Sequence, residues 1–439
     1  MFDDIVAISS GGKINQPIGI VRLSGPTVLE VVKKVFSNPK IEHSTASYGY
    51  IRNGNQTIDE VLVIYFKGPN SFTGEDIIEI NAHGGMVVLQ NILELFFSLG
   101  LRQAEKGEFT RRAFLNGKID LIKAEAIHDL IFSKTQKQAQ LSVKQFGGKT
   151  SKFISEIKNK ILLIIGQLEV NIDYPEYDDV ELKDDFELAN DLELINAELE
   201  KSLIESKISE AVFNGINVTI VGAPNAGKSS LLNKIVGDDK AIVTDIAGTT
   251  TDVIESSFQY QGILFNLKDT AGIRNNASTK IEEIGIQRTK KAISESEIII
   301  HLIASDQSET LIDKEIKELS KNKKYIQVIS KSDIAKKEGF INVSVKNGDI
   351  DNLLNRLVDD YKDVDWNSSR IVNNARQLSL IKMAEENIKS ALDALKQGMT
   401  ADVVIVDLHE AWNNLENITG KADNEKLLDS MFSNFCLGK

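Results

Sequence analysis

Apolar and polar positions change rhythm several times along this chain, and each change predicts a different kind of structure. In residues 1–118, strand-length apolar runs such as 18–23 (IGIVRL) and 61–66 (VLVIYF) are interspersed with Leu89, Ile92, Leu93 and Phe96 at helical spacing, which predicts an α+β domain. After a turn at Asn116 and Gly117, the residues Ile119, Ile122, Ala126, Ile127 and Leu130 fall on one helical stripe, and helical periodicity persists to about residue 210. Residues 211–365 alternate buried-strand runs (NVTIV at 217–221, then 263–267, 325–329 and 340–343) with helical ones, the pattern of an α/β domain. From Trp366 to residue 439 the helical pattern returns in RQLSLIKMAEENIKSALDAL and VDLHEAWNNLENIT. Segments 119–210 and 366–439 therefore read as one discontinuous all-α domain into which the α/β segment is inserted. Such an insertion is tolerated where the host's chain ends lie close together.

Composition bounds the picture. At 439 residues the chain predicts roughly three domains with ample apolar content for their cores. A net charge of −13 counts against a surface that coats nucleic acid broadly, so any RNA contact must be local or shared with a partner. The single cysteine, Cys436, excludes an intramolecular disulfide framework and leaves open a small apolar role or a chemical one near the chain end. The start MFDDIVAISS is acidic and lacks a signal-length apolar core, and no apolar run reaches the roughly 18 residues that span a membrane; the expectation is a soluble, cytoplasmic protein without membrane partners. The acidic stretch 173–187, with Pro175 inside it, is expected to be a solvated loop.

The strongest chemical signal is GAPNAGKSS at 222–230, which fills every fixed position of G-x-x-x-x-G-K-[ST]. A strand run enters it and a helical run, SSLLNKIV, leaves it, as phosphate binding by backbone N–H groups at a helix N-terminus requires. Lys228 is placed to neutralise the β and γ phosphates, and Ser229 to offer a hydroxyl to Mg2+. DTAG follows the run 263–267, so Asp269, Thr270, Ala271 and Gly272 sit at a strand's carboxyl end. Between the two motifs lies TDIAGTTTD (244–252), where Thr250 can complete the Mg2+ shell and sense the γ-phosphate. Further on, SKSD (Ser330, Lys331, Ser332, Asp333) and SVK (Ser344, Val345, Lys346) each follow an apolar run and resemble the guanine-reading elements of GTPases. Asp333 can accept two hydrogen bonds from guanine's N1–H and exocyclic amine, which adenine cannot both supply. Ser330 stands where those elements carry Asn, and the amide's contacts are expected to be lost.

Hydrolysis needs a further group, because Ile273 follows DTAG and cannot orient a water. No arginine in the loop or the adjoining switch is an evident finger, whereas Asn225 can hold a monovalent cation, K+, against the phosphates. Glu282 and Glu283, in the helical run after DTAG, are carboxylates available to the attacking water, or else a solvated helix face.

Taken together, SFTGEDIIEINAHGG (71–85), GEFTRRAFLNGKIDLIKAEAI (107–127), GAPNAGKSS, TDIAGTT and the chain end CLGK (436–439) resemble the MnmE (TrmE) family of bacterial tRNA-modification GTPases over essentially the whole chain. The resemblance implies a folate-binding and dimerising α+β domain (1–118), a helical domain in two parts (119–210 and 366–439), and an inserted Ras-like P-loop GTPase domain (211–365). It implies that GTP is held by Asn225, Ala226, Gly227, Lys228, Ser229 and Ser230, by Thr244, Asp245, Ile246, Ala247, Gly248, Thr249 and Thr250, by Asp269 to Gly272, and by the SKSD and SVK residues. Mg2+ would take Ser229 and Thr250, K+ would take Asn225, Thr244, Ile246 and Thr249, and Glu282 would be the catalytic carboxylate. Arg22, Glu79, Lys118 and Lys439 match folate positions, implying 5-formyltetrahydrofolate or a related one-carbon folate. The implied activity is a K+-stimulated, Mg2+-dependent GTP hydrolase. As a homodimer with the flavin-dependent partner MnmG (GidA), it would add a carboxymethylaminomethyl or aminomethyl group to the wobble uridine of certain tRNAs. A ribosome-assembly GTPase switch and a folate-dependent transferase with a regulatory G domain are the alternatives.

Overall fold

The computed structural model describes residues 3–11, 14–173, 184–237, 256–268, 282–362, 364–420, 425–436 and 438. The chain divides into two compact units, one formed by Met1–Ile131, Gln145–Ile154 and Asn413–Lys439, the other by Phe132–Lys144 and Ser155–Trp412. Among the described residues, no helix is long and apolar enough to cross a membrane.

In the first unit, strands β1 (Ile5–Ile8), β2 (Ile18–Ser24), β3 (Ala46–Asn53), β4 (Gln56–Phe66), β5 (Ile77–His83) and β6 (Arg102–Gln103) form one sheet in the order β3-β4-β5-β2-β1-β6. Period-2 alternation turns Val21, Leu23, Val61, Val63, Ile78 and Ile80 to a single face. There they join the apolar stripes of helices α1 (Val28–Val35) and α2 (Met86–Ser98) in one core. Antiparallel pairing of β2 with β5 sets Arg22 directly opposite Glu79. Helix α3 (Glu108–Leu115) carries Arg112, 2% exposed, whose guanidinium donates to Asp3, Glu75 and Glu108 and ties the start of β1 to the loop before β5.

Helix α4 (Leu121–Phe132) departs from the expected stripe. Its buried residues are Leu121, Ile122, Ala124, Glu125 and Ala126, with Ile127 and Leu130 only partly covered. The cause lies far away in sequence, because Leu121 and Ala124 pack with Phe114 of α3 and with Leu428, Phe432 and Phe435 of the last described helix and the tail. That helix, Glu425–Phe432, is anchored by Phe432 at 2% exposure, a ring whose truncation to Ala costs about 3–5 kcal/mol in a packed core.

The second unit holds helices α5 (Gln136–Phe146), α6 (Lys149–Asp173) and α7 (Asp185–Asn214), the first two of which run partly into the other unit. The end of the acidic stretch is not loop: Asp184 caps α7 and Glu187 completes a capping box, so Asp185 to Glu187 are helical. The side-chain oxygen of Asp184 satisfies an amide that would otherwise lack a partner, worth about 1 kcal/mol. Residues 174–183 lie outside the described residues. Helix α7 continues to Asn214, past residue 210, because Val212 extends its buried face, and Gly215 at φ +83° turns the chain out of it.

A second sheet follows, built from β7 (Ile216–Val221), β8 (Ser256–Tyr260), β9 (Ile263–Leu267), β10 (Ile298–Ala304), β11 (Lys324–Ser330) and β12 (Ile341–Asn342) in the order β12-β11-β10-β7-β9-β8. Every pair is parallel except the β8–β9 hairpin. Helices α8 (Lys228–Gly237), α9 (Glu282–Glu295), α10 (Leu311–Leu319) and α11 (Asp351–Val358) alternate with these strands. The host helices resume with α12 (Ala375–Lys396), which packs along α7, and α13 (Ala401–Thr419). Helix α12 starts at Ala375 rather than near Trp366, since the intervening residues are held on α7 by side-chain hydrogen bonds from Ser202, Ser206 and Ser209.

Two histidines titrate in opposite senses. A hydrogen bond to Asp59 (2.7 Å) raises exposed His83 above the ordinary 6.5, while burial lowers His301 below it despite Asp313 at 2.8 Å. His83's contribution to stability is full below pH 6.5 and lost as pH rises through its folded value, whereas His301's is present above pH 6.5 and declines as pH falls below it. An NMR titration should show both displacements, and Asp59→Asn should return His83 toward 6.5; a midpoint unmoved by that substitution contradicts the pairing.

Candidate functional site

Strand β7 delivers the chain into the loop 222–230 at the carboxyl end of the parallel sheet. Gly222 sits at φ +150°, and a Cβ there would lie 2.2 Å from the Leu302 carbonyl oxygen, so only glycine fits against β10. Asn225, exposed at the loop's tip, adopts a left-handed φ of +63°, and Gly227 a φ of +91°. Helix α8 then starts at Lys228, its first turn closed by the Leu231 amide on the Gly227 carbonyl at 2.9 Å. The N-terminal amides of such a helix lack intrahelical acceptors and favour anions. Lys228 Nζ donates to the carbonyls of Gly222 and Ala223, both at 2.8 Å, and burial holds its ammonium below the ordinary lysine range. Ser229 and Ser230 follow in the same first turn of α8.

The second cluster grows from the end of β11. Ser330 is buried, and its hydroxyl donates to the Ala226 carbonyl at 2.6 Å. Serine is shorter than asparagine, yet the loop runs close enough for its hydroxyl to tether it. Lys331 turns the chain at φ +56°, held by Ser305 Oγ on its carbonyl (2.9 Å) and by an ion pair with Asp306 (3.1 Å). The Ser332 amide donates to Val343 O at 3.1 Å, and Ser344 Oγ donates to the Asp333 carboxylate at 3.0 Å. SKSD and SVK thus meet beside the loop, with Val345 packed on the core and Lys346 exposed.

Beneath both clusters lies a group the sequence did not flag. His301, fully buried on β10, joins Asp313 of α10 through Nε2 (2.8 Å) and Tyr325 of β11 through Nδ1 (2.6 Å). A carboxylate only accepts, so the shared proton sits on Nε2 and the Tyr325 hydroxyl donates to Nδ1. The register pairs His301 with Val221, the residue before Gly222, so this chain of hydrogen bonds braces the wall under the loop. An apolar strand with one histidine carries no sequence signal for it.

Thr244, Asp245, Ile246, Ala247, Gly248, Thr249 and Thr250, and likewise Asp269, Thr270, Ala271 and Gly272, lie outside the described residues. Glu282 is the first residue of α9, and its side chain, like that of Glu283, is outside them too.

In the first unit, Arg22 Nε and Nη2 both donate to Glu79 Oε1, at 2.9 and 2.7 Å. The guanidinium also lies over the rings of Phe72 (5.9 Å) and Phe109 (5.7 Å) and reaches the Gly438 carbonyl at 3.5 Å. Ser9 Oγ donates to that same carbonyl at 2.7 Å. The tail therefore returns to β1 and β2, although Lys439 itself is outside the described residues. Lys118 Nζ donates to the Pro69 carbonyl at 2.8 Å, in the loop that also carries Phe72. Sequence reasoning missed Ser9, Phe72 and Phe109, whose proximity to Arg22 comes only from the sheet and the loop crossing it.

A glycine-turned loop at the carboxyl end of a parallel sheet, leading into a helix N-terminus beside a half-buried lysine, defines a P-loop nucleotide-binding domain. The comparisons narrow this class. Residues 4–118 match the GTP-binding protein TrmE N-terminus and residues 121–436 the MnmE helical domain. The tRNA modification GTPase MnmE of Mycoplasmopsis pulmonis is 53% identical over 443 residues, with 100% of both chains covered. That of Mycoplasma mobile is 46% identical over 444 residues, again with 100% of both covered. Among solved structures, the G domain of the T. maritima FeoB iron transporter is 27% identical, covering 34% of this chain and 99% of its own, at a TM-score of 0.25. The chain belongs to the MnmE family.

The loop geometry separates two substitutions. Gly222→Ala drives a methyl into the Leu302 carbonyl and should weaken nucleotide binding by more than about tenfold. Ser330→Ala removes one hydrogen bond of about 1 kcal/mol, roughly fivefold in affinity. Titration with a fluorescent guanine nucleotide reads both, and a larger loss for Ser330→Ala would contradict the packing described.

Proposed function

We propose that this protein is a Mg2+-dependent, K+-stimulated GTP hydrolase that takes part in tRNA modification. With a flavin-dependent partner, MnmG-like, it helps install a carboxymethylaminomethyl or aminomethyl group on the wobble uridine of certain tRNAs. The observation that carries the nucleotide reading is the convergence of the 222–230 loop with Ser330, Asp333 and Ser344 at one end of the parallel sheet. Residues 211–365 act as the GTPase segment, 1–118 as the folate-binding and dimerising segment, and 119–210 with 366–439 as the helical host.

In this reading the amides of the loop and of α8 hold the phosphates, and Lys228 exchanges its two carbonyl acceptors for phosphate oxygens. Asp333 accepts from the guanine edge, with Ser344 fixing its carboxylate. The hydroxyl of Ser229, in the first turn of α8, suits the hard oxygen preference of Mg2+, with Thr250 as the second hydroxyl. Mg2+, when bound, would neutralise developing phosphate charge. Asn225, exposed and fixed by its left-handed backbone, suits K+ through its side-chain oxygen, with Thr244, Ile246 and Thr249 completing that set. Glu282 orients the attacking water. In the first unit, the Arg22–Glu79 pair with its aromatic flanks suits a flat heterocycle with a carboxylate tail, and Lys118 and Lys439 supply further cationic groups for a 5-formyltetrahydrofolate-like carbon donor.

Two measurements test this. GTP turnover should be much faster in K+ than in Na+ at matched ionic strength, and Asn225→Ala should erase that difference while keeping most nucleotide affinity; equal turnover in the two salts would sink the cation role. Deleting residues 436–439 removes the Gly438 contacts to Ser9 and Arg22. It should weaken 5-formyltetrahydrofolate binding and reduce wobble-uridine modification in cells, with free GTPase activity nearly unchanged. Identical folate affinity in calorimetry would assign the tail to another task.

A further inference from the structure

Ser330 and Asp333 stand three residues apart at the end of β11, yet one is sealed and the other open. Ser330 is 4% exposed, whereas Asp333 lies at the surface. The Ser330 hydroxyl donates to the Ala226 carbonyl at 2.6 Å, and its next acceptor is the Ile303 carbonyl of β10 at 3.4 Å. Both are backbone atoms of the protein, and Ala226 is itself fully buried. The serine is packed under the turn of the loop, since a Cβ on Gly227 would stand 3.9 Å from both its Cβ and its Oγ.

The number of donors decides what residue 330 can do. A hydroxyl carries one proton, whereas a side-chain amide carries two. Asparagine, the residue that guanine-reading elements carry here, could hold a loop carbonyl with one N–H and offer the other to a ligand. Serine can do only one of these. The side of guanine away from its N1–H and amine presents the acceptors N7 and O6, so reading it takes a donor. If the Ser330 proton turned to the base, the buried Ala226 carbonyl would lose its partner and incur its full desolvation cost. Asp333 is in the opposite position. Ser344, 1% exposed, donates to one carboxylate oxygen at 3.0 Å and accepts from the Asn347 amide at 3.3 Å, which fixes the carboxylate. A carboxylate has about four acceptor sites, so capacity remains for two donors from a base.

We infer that this cluster recognises guanine through the N1–H and amine edge alone, with Asp333 as the reader and Ser330 as a positioning residue whose proton is committed to the loop. This rests on the guanine-site reading above, and it sets the chain apart from elements that carry asparagine at this position. The nucleotides it accepts are guanine triphosphates regardless of the atom at position 7. Ser330 strengthens binding of every nucleotide whose phosphates the loop holds, without telling one imidazole edge from another.

The test is a cycle of two ligands and two proteins. GTP and 7-deaza-GTP, in which a C–H replaces N7, are titrated with Mg2+ into full-length wild type and Ser330→Ala. Wild type should bind the two within about threefold, less than one hydrogen bond is worth. Ser330→Ala should weaken both by the same factor, roughly fivefold, so that their ratio is unchanged and the coupling between residue 330 and position 7 is nil. Inosine triphosphate, which lacks the amine, should bind wild type more weakly than GTP by more than about tenfold, the effect of removing a donor to a charged acceptor. A wild-type preference for GTP over 7-deaza-GTP beyond about threefold, a loss in Ser330→Ala confined to GTP, or equal binding of inosine triphosphate and GTP would each overturn the inference. Wild type that binds GTP no more tightly than ATP would instead refute the guanine-site reading itself.

Discussion

A segment inserted into a host domain must be held where it leaves and where it returns, and here one row of buried serines provides that constraint. Ser202, Ser206 and Ser209 repeat at helical spacing on α7 and are fully buried. Ser202 donates to the Arg370 carbonyl at 2.7 Å, Ser206 accepts from the Val372 amide at 3.0 Å, and Ser209 donates to Asn373 Oδ1 at 2.6 Å. An unpaired buried hydroxyl costs about 1–3 kcal/mol, so a slip of the exit segment by one residue would orphan several groups together. Arg370 adds an ion pair to Glu198 at 2.9 Å, and the Ser368 hydroxyl one hydrogen bond to Glu205. Because the exit lies along the same helix that forms the entrance, the α/β segment hangs from one rigid element, and everything at the nucleotide site is referred to α7.

What the sequence made legible follows from locality. The runs at 217–221, 263–267 and 325–329 became β7, β9 and β11 within a residue or two, since strand identity there rests on short apolar runs and on the motifs punctuating them. The loop 222–230 was equally readable, because its glycines, lysine and serine are neighbours in sequence. The buried face of α4 was not readable: Phe432 and Phe435, about three hundred residues downstream, decide that Leu121 and Ala124 turn inward. The serine row was not legible for the opposite reason, as serines at helical spacing look like a solvated face until an extended stretch of chain lies on them. Ser330 is a third case, since its hydroxyl bond to the Ala226 carbonyl depends on the close approach of a loop about a hundred residues earlier in sequence.

The two ends of the chain meet in the first unit for a steric reason. Gly438 has φ +87°, and a Cβ there would stand 2.2 Å from the Ile8 carbonyl oxygen, so the tail passes β1 at a distance only glycine permits. Once there, its carbonyl is shared between the Ser9 hydroxyl and the Arg22 guanidinium. Arg22 is thereby oriented from two directions, by Glu79 across the sheet and by the tail beyond it. A guanidinium with its charge already matched by one carboxylate has donors left for a second acceptor, which distinguishes this pair from a closed surface ion pair worth little on its own.

The same reasoning applies to Lys228. Burial disfavours its ammonium, and the two carbonyls of Gly222 and Ala223 offset part of that cost with neutral acceptors. Phosphate oxygens are charged acceptors, and hydrogen bonds to them are roughly twice as strong as those to carbonyls. The desolvation of the lysine is incurred on folding, so in the proposed role the gain on exchanging carbonyl for phosphate would go to binding. His301 is hydrogen-bonded to Asp313 and Ser330 to the Ala226 carbonyl, which holds the strands and the loop beside the ammonium in place. The loop is thus a preorganised cradle whose strain is carried by the glycines that cannot be replaced, above all Gly222.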